Sequence, residues 1–442
     1  MLIADCGLLI EGRDRGSERM FRRFTAVMVM SVVGGAAIAE NWPGFRGPNG
    51  DGISREPVVP LTWSATDSVM WATELPGAGN SSPIVWGDRV FVTAALDGGK
   101  ERSLYCFNRE TGRLIWGRAL EYEGTEPTHE TNPYAAATPV TDGERVYVWY
   151  GSGGMAAFDM EGNELWQFDG GEVKHIWGNG SSPILFEDQV IQYIGPGEVS
   201  TLVALNKVTG ALIWRRDIPE SRNRYTTEGD QAQWFGTWAT PIVVENEGRP
   251  ELVFPVSYSV RGFNPRTGVE LWRCGGLSGL AYASVSVDGG MAAAMSGFTG
   301  PAIGLRLPGA GDGGDVTESH RLWGHERNEQ RIGSGVAYRG HLYVTNANGV
   351  AQCIEMASGR EVWKERLTTA ECWGSMVLAA GRLYVTDTAG VTHVIAASTK
   401  FERLAENRLG EGEQTRSTAA FSDGQVFIRT YEKLYCIGTR LR

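Results

Sequence analysis

The sequence lacks several features that would assign it to a familiar class, and each absence excludes something. Its net charge is −11 and no basic run follows the N-terminus, which argues against a nucleic-acid partner because phosphate binding needs clustered Lys and Arg. The six cysteines are scattered without a disulfide framework, so we expect free, buried thiols at the five that follow residue 39. The motifs G-x-S-x-G, H-E-x-x-H, paired C-x-x-C and G-x-x-x-x-G-K are also missing, so no common catalytic class is indicated.

The first 39 residues differ from the rest of the chain. Residues 1–19 are polar and match nothing downstream, so we place the true start at Met20. Arg22-Arg23, the apolar run Phe24–Ile38 and a small-residue site ending at Ala39 are typical of a secretion signal over residues 20–39. A membrane anchor is the alternative, but the run is shorter than the ~20 residues that span a bilayer. We therefore predict a periplasmic or secreted protein with no stable membrane anchor after cleavage.

One unit recurs along the chain, most clearly at Ser181–Trp214. It reads as four short strands that end on a tryptophan. The turn before the last strand contains Asn206, which can form an Asx-turn, and Gly210, which supplies a positive φ. Units of this kind close on an aromatic residue at Trp116, Trp166, Trp214, Trp272, Trp323, Trp363 and Phe401.

Four antiparallel strands that close on an aromatic residue predict one blade of a β-propeller. The last unit, Ser417–Cys436, stops after its third strand, and the missing strand is present upstream at Val69–Leu75. We therefore predict an all-β, eight-bladed propeller of four-stranded blades over residues 40–442, its last blade closed by the N-terminal strand. An open solenoid is the alternative, but a solenoid needs capping repeats at its two ends. We predict a structural role for the tryptophans Trp71, Trp116, Trp166, Trp214, Trp272, Trp323 and Trp363.

Two insertions interrupt the repeat, Glu220–Gly236 and Arg306–Arg321. The second is rich in Gly and Asp, and we predict a flexible loop there. A calcium site at Asp312 and Asp315 is the alternative, although calcium-binding nonapeptides need their motif repeated.

The candidate site follows from propeller geometry, because residues that precede the first strand of each blade gather at one mouth of the central channel. Aligning the blades gives the ring Asn80, Ala136, Gly180, Trp238, Ala281, Ile332, Trp373 and Arg416. The connecting segments add polar and aromatic residues at the same mouth, namely His129, Glu130, Asn132, His175, Trp177, Asn179, Trp234 and Arg331. We predict a polar and aromatic pocket for a small ligand there.

Each of these residues also has a structural interpretation. Single histidines are often hydrogen-bonded loop residues, Trp234 and Trp373 could plug the channel, and the arginines could pair with Glu130 or Glu371. Two histidines without a placed carboxylate do not predict a metal site.

The motif A-x-D-x-x-T-G-x-x-x-W, present here with Asn108, Asn206 and Asn264 in place of the Asp, resembles the tryptophan-docking motif of pyrroloquinoline-quinone-type propellers. That superfamily contains quinoprotein alcohol dehydrogenases and the non-catalytic propeller subunit of the outer-membrane β-barrel assembly machine. The segments NWPGFRGPNGDGIS, THETNPYAAATPVTDGERVYV, HIWGNGSSPIL and RIGSGV resemble exported bacterial PQQ-binding-like β-propeller repeat proteins.

The resemblance implies two kinds of function. The dehydrogenases use a vicinal Cys-Cys disulfide, calcium held by Glu and Asn, and a catalytic Asp, whereas this sequence has no adjacent cysteines. We therefore predict no cofactor, with pyrroloquinoline quinone and calcium as the alternative. The assembly subunit is a lipoprotein, and no lipidation cysteine is present here. Our hypothesis is an exported binding or scaffold module for a protein, small-molecule or glycan ligand. A quinoprotein-like oxidoreductase or a carbohydrate-active enzyme with His129 or His175 as general base is the alternative.

Overall fold

The repeating unit forms eight antiparallel sheets in the computed structural model, which describes residues 40–197, 200–219, 235–329 and 331–438. The eight-bladed, all-β propeller predicted from the sequence is confirmed. The predicted secretion signal at 20–39 and Trp234 lie outside the described residues. No helix in the described ranges is long and apolar enough to cross a membrane.

Blades 1 to 4 each contain four consecutive strands. Their bounds are Ile84–Trp86, Arg89–Leu96, Glu101–Asn108 and Leu114–Glu121 in blade 1; Val140–Thr141, Arg145–Trp149, Met155–Asp159 and Glu164–Phe168 in blade 2; Ile184–Phe186, Gln189–Ile194, Thr201–Asn206 and Leu212–Asp217 in blade 3; and Ile242–Asn246, Arg249–Val256, Ser259–Phe263 and Glu270–Gly275 in blade 4.

Blades 5 to 7 follow the same plan, and blade 8 takes its fourth strand from upstream. The bounds are Ser286–Asp288, Met291–Met295, Ala302–Arg306 and Arg321–His325 in blade 5; Val336–Tyr338, His341–Thr345, Val350–Glu355 and Glu361–Arg366 in blade 6; Val377–Ala379, Arg382–Thr386, Val391–Ala396 and Arg403–Arg408 in blade 7; and Ala420–Ser422, Gln425–Arg429, Lys433–Ile437 and Val69–Glu74 in blade 8. Short helical turns lie at Asp97–Gly99, Gly151–Gly153 and Thr317–His320.

Blade 8 joins the two ends of the described chain. Val69–Glu74 pairs antiparallel with Lys433–Ile437, and Trp71 lies opposite Cys436. The predicted closure is therefore confirmed. Pairing of this kind leaves no open seam in the ring, because the strand edge that would otherwise be exposed is covered.

The turn that precedes each closing tryptophan is a docking point for the blade before it. The Asn206 side-chain oxygen accepts the N–H groups of Val208 and Thr209 at 3.0 Å, and Gly210 has a φ of +72°. Trp166 of the preceding blade packs over Gly210, and its Nε1–H donates to the Lys207 carbonyl at 3.2 Å. Equivalent Nε1–H bonds to carbonyls of the next blade are made by Trp71, Trp116, Trp214, Trp323 and Trp363.

Trp272 departs from this pattern. Its Nε1–H donates to the Glu251 carboxylate of its own blade at 2.6 Å, and its ring packs over Gly262 of that blade. In the next blade, the Arg306–Arg321 insertion takes the place of the short turn that receives the other tryptophans. The tryptophan therefore turns inward, where it pairs with a fully buried carboxylate.

The Arg306–Arg321 insertion, which we predicted as a loop, contains a short strand and a helical turn. Gly314–Asp315 pairs in parallel with Glu270–Gly275, so the insertion adds a fifth strand to blade 4. The Asp315 carboxylate accepts the N–H and the hydroxyl of Thr317 at 3.1 and 2.6 Å. The outer edge of blade 4 provides the unpaired backbone groups that hold this segment.

Candidate functional site

A ring of eight hydroxyl side chains surrounds the channel just inside one mouth. Each blade contributes one member: Ser82, Thr138, Ser182, Thr240, Ser284, Ser334, Ser375 and Thr418. The backbone N–H of each member donates to the hydroxyl oxygen of the member in the next blade, at 2.9 to 3.2 Å. The N–H of Thr418 completes the circle on Ser82 at 3.0 Å. The eight blades are thus tied together at the channel by a closed circle of hydrogen bonds.

The hydroxyl protons of this ring are mostly uncommitted. Ser284 donates its proton to the Thr240 carbonyl at 2.8 Å. The remaining seven hydroxyls have no acceptor among the described residues, and each can still donate a hydrogen bond into the channel.

The segment 41–54 closes the channel beneath this ring. Trp42 pairs with Val85 of blade 1, and Ser54 N–H donates to the Leu378 carbonyl of blade 7 at 2.8 Å. Val85 and Leu378 follow the ring members Ser82 and Ser375 along the chain. The segment therefore crosses the channel on the side of the hydroxyl ring that faces away from the mouth. The buried Arg46 guanidinium donates to the Gly335 carbonyl of blade 6, and burial lowers its pKa to about 10. Phe45 forms the floor of the resulting cup.

The cup has a volume of about 420 Å³ and two unlike walls. Blades 4 to 7 contribute a mainly aromatic wall, made of Trp238, Tyr282, Phe298, Ile332 and Trp373 together with Trp177 from the segment before blade 3. Blades 8, 1 and 2 and the connections that follow them contribute a polar wall, made of Arg416, Asn80, His129, Thr131, Asn132 and Asn179. Because these sets occupy opposite halves of the ring of blades, the cup is apolar on one side and polar on the other.

The aromatic wall is held by ring contacts. Trp238 lies 5.6 Å from Trp177 and 5.3 Å from Tyr282, measured between ring centroids. The buried His175 packs edge-on against Trp238 at 4.8 Å, and the Trp238 Nε1–H donates to the Gly178 carbonyl at 2.8 Å. Burial raises the pKa of Tyr282, so its hydroxyl stays protonated at neutral pH. These contacts hold the aromatic side chains of the wall in fixed positions.

Trp373 and Arg416 close the gap between the two walls. The Arg416 guanidinium carbon lies 4.6 Å from the Trp373 ring centroid, a cation–π contact, and Arg416 also donates to the Tyr431 hydroxyl. Burial lowers the pKa of Arg416, while the charges of Glu371 and Glu130 act in the opposite direction. Both carboxylates therefore act on Arg416 through their charges, and the guanidinium itself lies against an aromatic face.

The polar wall has a buried ionic support. The Asn179 amide donates to the Glu126 carboxylate at 3.0 Å. Glu126 is fully buried, and it also accepts hydrogen bonds from Arg102 at 2.7 Å and from the Ser152 N–H at 2.8 Å. The Arg102 guanidinium lies 4.6 Å from the Tyr122 ring centroid. The charges of Arg102 and Glu126 behind this wall therefore neutralise each other.

The structure brings together most of the predicted site residues. Those that line the cup are His129, Asn132, Trp177, Asn179, Trp238, Trp373 and Arg416. His175 lies behind Trp238, and Glu130 is exposed outside the lining. Arg331 does not line the cup and is buried in a crevice between blades 5 and 6. Its guanidinium points away from the channel and donates to the Gln352 amide oxygen. Trp234 falls outside the described residues.

The predicted ring position is wrong by one residue in blade 5. Leu280–Ala281 pairs in parallel with Gly236–Thr237, which keeps Ala281 buried in a backbone ladder and places Tyr282 at the cup. Sequence reasoning also missed Phe45, Phe298 and the hydroxyl ring. The hydroxyls carried a signal, since a Ser or Thr follows each correct ring position by two residues.

Comparison with known proteins gives the family. The family model described as outer membrane protein assembly factor BamB matches residues 63–272 and 256–437. The chain belongs to the BamB family. The crystal structure of BamB from Moraxella catarrhalis shares 13% sequence identity with it and a TM-score of 0.58, covering 84% of this chain and 99% of that one. A quinohemoprotein alcohol dehydrogenase from Comamonas testosteroni shares 12% identity and a TM-score of 0.58, over 90% of this chain and 80% of that one. Identities this low show the fold alone.

One curated relative of this BamB-family chain is a polyvinylalcohol dehydrogenase from Sphingopyxis sp. (strain 113P3). The two are 24% identical over an alignment of 266 positions, and the match covers 53% of this chain and 39% of the relative. The chain thus spans well under half the length of that enzyme. The proteins similar to this BamB-family member include both an assembly factor and dehydrogenases, so family membership alone does not separate a scaffold from an oxidoreductase.

The cup of this BamB-family chain does not fit the quinone and calcium that the sequence resemblance implies as an alternative. Calcium needs several oxygen ligands, commonly carboxylates, and pyrroloquinoline quinone is itself a polycarboxylate. Among the described residues that line the cup, none is Asp or Glu, and Arg416 is the one Lys or Arg. Glu126, behind Asn179, is already paired with Arg102. In the part of the chain that the structure describes, no three His, Cys, Asp or Glu side chains group as a metal site.

Proposed function

We propose that this protein is an exported, non-catalytic binding module whose cup holds a small molecule or the end of a larger one. The observation that carries the proposal is the cup itself, which is closed beneath by the 41–54 segment, open at the mouth and about 420 Å³ in volume. Cavities of about 300–1,000 Å³ with apolar walls and a few fixed polar groups are typical of ligand sites. Trp238 and Trp373 line the cavity and leave room between the walls.

The two candidate general bases support binding over catalysis. His129 is exposed, and its Nδ1 accepts the Thr131 N–H at 3.3 Å, so a loop residue and not a carboxylate orients the ring. The buried His175 packs behind Trp238 and is not part of the lining of the cup. Acid–base catalysis needs a titrating group within hydrogen-bond reach of the substrate, usually oriented by a partner.

Export and a protein partner are part of the same proposal. Export is supported by the predicted secretion signal at 20–39 and by a family description that names outer membrane protein assembly. That description also favours a protein partner, for which the outer faces of the blades would serve as the contact surface while the cup takes the ligand.

Thermal unfolding with four classes of compound tests the binding function: neutral sugars, short peptides, organic acids, and pyrroloquinoline quinone with Ca²⁺. A ligand at about 100 times its Kd adds about 2.7 kcal/mol to the free energy of unfolding. For roughly 400 folded residues that is a rise in Tm of about 3 °C. We expect one class to raise the Tm of the wild type and not that of Trp238→Ala, while Tyr258→Ala, an exposed aromatic outside the cup, responds like the wild type.

Two results would contradict the proposal. If no class raises the Tm, the cup is not a binding site for these molecules and the binding function fails. If the quinone with Ca²⁺ raises the Tm, and the loaded protein reduces a dye with an alcohol or an aldose, the oxidoreductase alternative replaces it.

A further inference from the structure

We infer that the cup takes the terminal ring of a neutral oligosaccharide and that an adjoining crevice takes the rings that follow. This inference rests on the proposed binding function and adds a chemical class of ligand to it. It is drawn from three features of the described residues: the two unlike walls of the cup, the near absence of charge in its lining, and a second cavity that shares a wall with it.

The first feature is the division of the cup into halves. A pyranose ring has apolar C–H faces and an edge of hydroxyl groups, so it needs an aromatic surface on one side and hydrogen-bonding groups on another. Trp238, Tyr282 and Trp373 present aromatic surface from blades 4, 5 and 7. Asn80 and Asn132 line the opposite half. Their amide N–H groups bind backbone carbonyls, Thr131 for Asn80 at 2.8 Å, which fixes both side chains in place.

The second feature is the balance of charge and hydrogen-bonding groups. Sugar hydroxyls both donate and accept, and so do the ring hydroxyls, seven of which have no acceptor among the described residues. A peptide end would bring an ammonium or a carboxylate group into a lining whose one carboxylate-binding side chain, Arg416, already contacts Trp373 and Tyr431. A flat aromatic ligand would leave the polar wall without partners. A neutral sugar satisfies both walls.

The third feature is a crevice of about 890 Å³ between blades 7 and 8. Arg416 lines both this crevice and the cup, so its side chain forms the wall between them. Its lining contains hydrogen-bonding side chains, namely those of Ser64, Thr388, Arg408, Glu411 and Gln414. Its size exceeds that of the cup, and a chain of sugar rings that leaves the cup past Arg416 enters it. The geometry therefore favours an oligosaccharide over a single sugar.

Isothermal titration calorimetry tests the ligand class. The probes are cellotriose, maltotriose, xylotriose and N-acetylchitotriose, each beside its own monosaccharide. We expect one trisaccharide to bind with a Kd at least about tenfold below that of its monosaccharide, a difference of about 1.4 kcal/mol. Trp238→Ala should raise the Kd of both by about tenfold or more, while Tyr258→Ala leaves both unchanged.

Ala65→Trp tests the crevice separately. Ala65 is exposed at the edge of the crevice, so a tryptophan there fills space without disturbing the core. We expect the trisaccharide Kd to rise to that of the monosaccharide, whose own Kd does not change. Equal affinities for tri- and monosaccharide in the wild type would overturn the role of the crevice.

The outcomes separate this inference from the proposed function. If a peptide or an organic acid binds in the cup and no oligosaccharide does, the binding function stands and the sugar inference is overturned. If none of the compounds binds, both are overturned.

Discussion

Replacing Trp214 by alanine should loosen blade 3 from blade 4, because this side chain spans the boundary between them. Its ring is 8% exposed, and its Nε1–H donates to the Pro265 carbonyl at 3.1 Å and to the Gln189 side chain at 3.0 Å. Truncation of a buried tryptophan costs about 3–5 kcal/mol in the free energy of unfolding. We expect Trp214→Ala to fall in that range. Leu212→Ala, on the same strand but 52% exposed, should change it by less than about 0.5 kcal/mol.

The partner of Trp214 across the boundary allows a sharper test. Gly268 has a φ of +67°, and a Cβ added there would lie 2.5 Å from the Trp214 ring. Gly268→Ala should therefore cost about 1–2 kcal/mol for the left-handed backbone and about 1–3 kcal/mol for the clash. In the double variant the clash disappears because the ring is gone, whereas the backbone strain stays. The double variant should thus lose about 1–3 kcal/mol less than the sum of the single ones.

Urea unfolding of the four proteins, with linear extrapolation to water, measures these free energies. A cost below about 1 kcal/mol for Trp214→Ala, or single costs that add within about 0.5 kcal/mol, would refute the account of how the blades are held together.

Three further predictions concern buried charges and thiols. Arg102→Met leaves the buried Glu126 carboxylate without its partner at 2.7 Å, and it should lower the free energy of unfolding in urea by about 3–5 kcal/mol. A loss of less than about 1 kcal/mol would show that the ion pair does not support the polar wall. Burial raises the pKa of Asp387, but hydrogen bonds from His393, the Val391 N–H and Thr368 outweigh it and hold the pKa below its ordinary value. The stability that Asp387 contributes is therefore present above a pH of about 4 and is lost as the pH falls below it. Asp387→Asn should make the free energy of unfolding fall less steeply between about pH 4 and pH 2. An unchanged slope of that free energy against pH would contradict this. Burial raises the pKa of Cys106, Cys372 and Cys436 to about 12 and of Cys274 and Cys353 to about 11. At neutral pH, none of these thiols should be alkylated in the folded protein and all should be alkylated in urea, as mapped by mass spectrometry. Rapid labelling of any of them in the folded state would show that it is accessible.

The architecture was predictable because its chemistry is local and repeated. The Asn206 to Gly210 turn and the tryptophan that follows are read within one short segment, and the same spacing recurs from blade to blade. Trp272 shows the limit of this reasoning. Its sequence context matches the others, but its direction depends on the next blade, which lacks the receiving turn.

The candidate site was predictable only in part. Trp238, Trp373 and Arg416 stood out as bulky residues at ring positions, and the structure places all three in the cup. Tyr282 was missed because a short parallel pairing shifts the register of blade 5 by one residue. Phe45 was missed because it arrives through a segment that crosses the channel, a path that no local pattern encodes. Arg331 was misplaced because spacing along the chain does not fix the direction of a side chain.

A crystal structure of the protein soaked with the tightest-binding compound tests the central claim, that the cup is the ligand site. The account predicts a ligand above the hydroxyl ring, between the aromatic wall at Trp238 and the polar wall at Asn132. A ligand held only on the outer faces of the blades, with the cup empty or filled by Trp238 and Trp373, would contradict it.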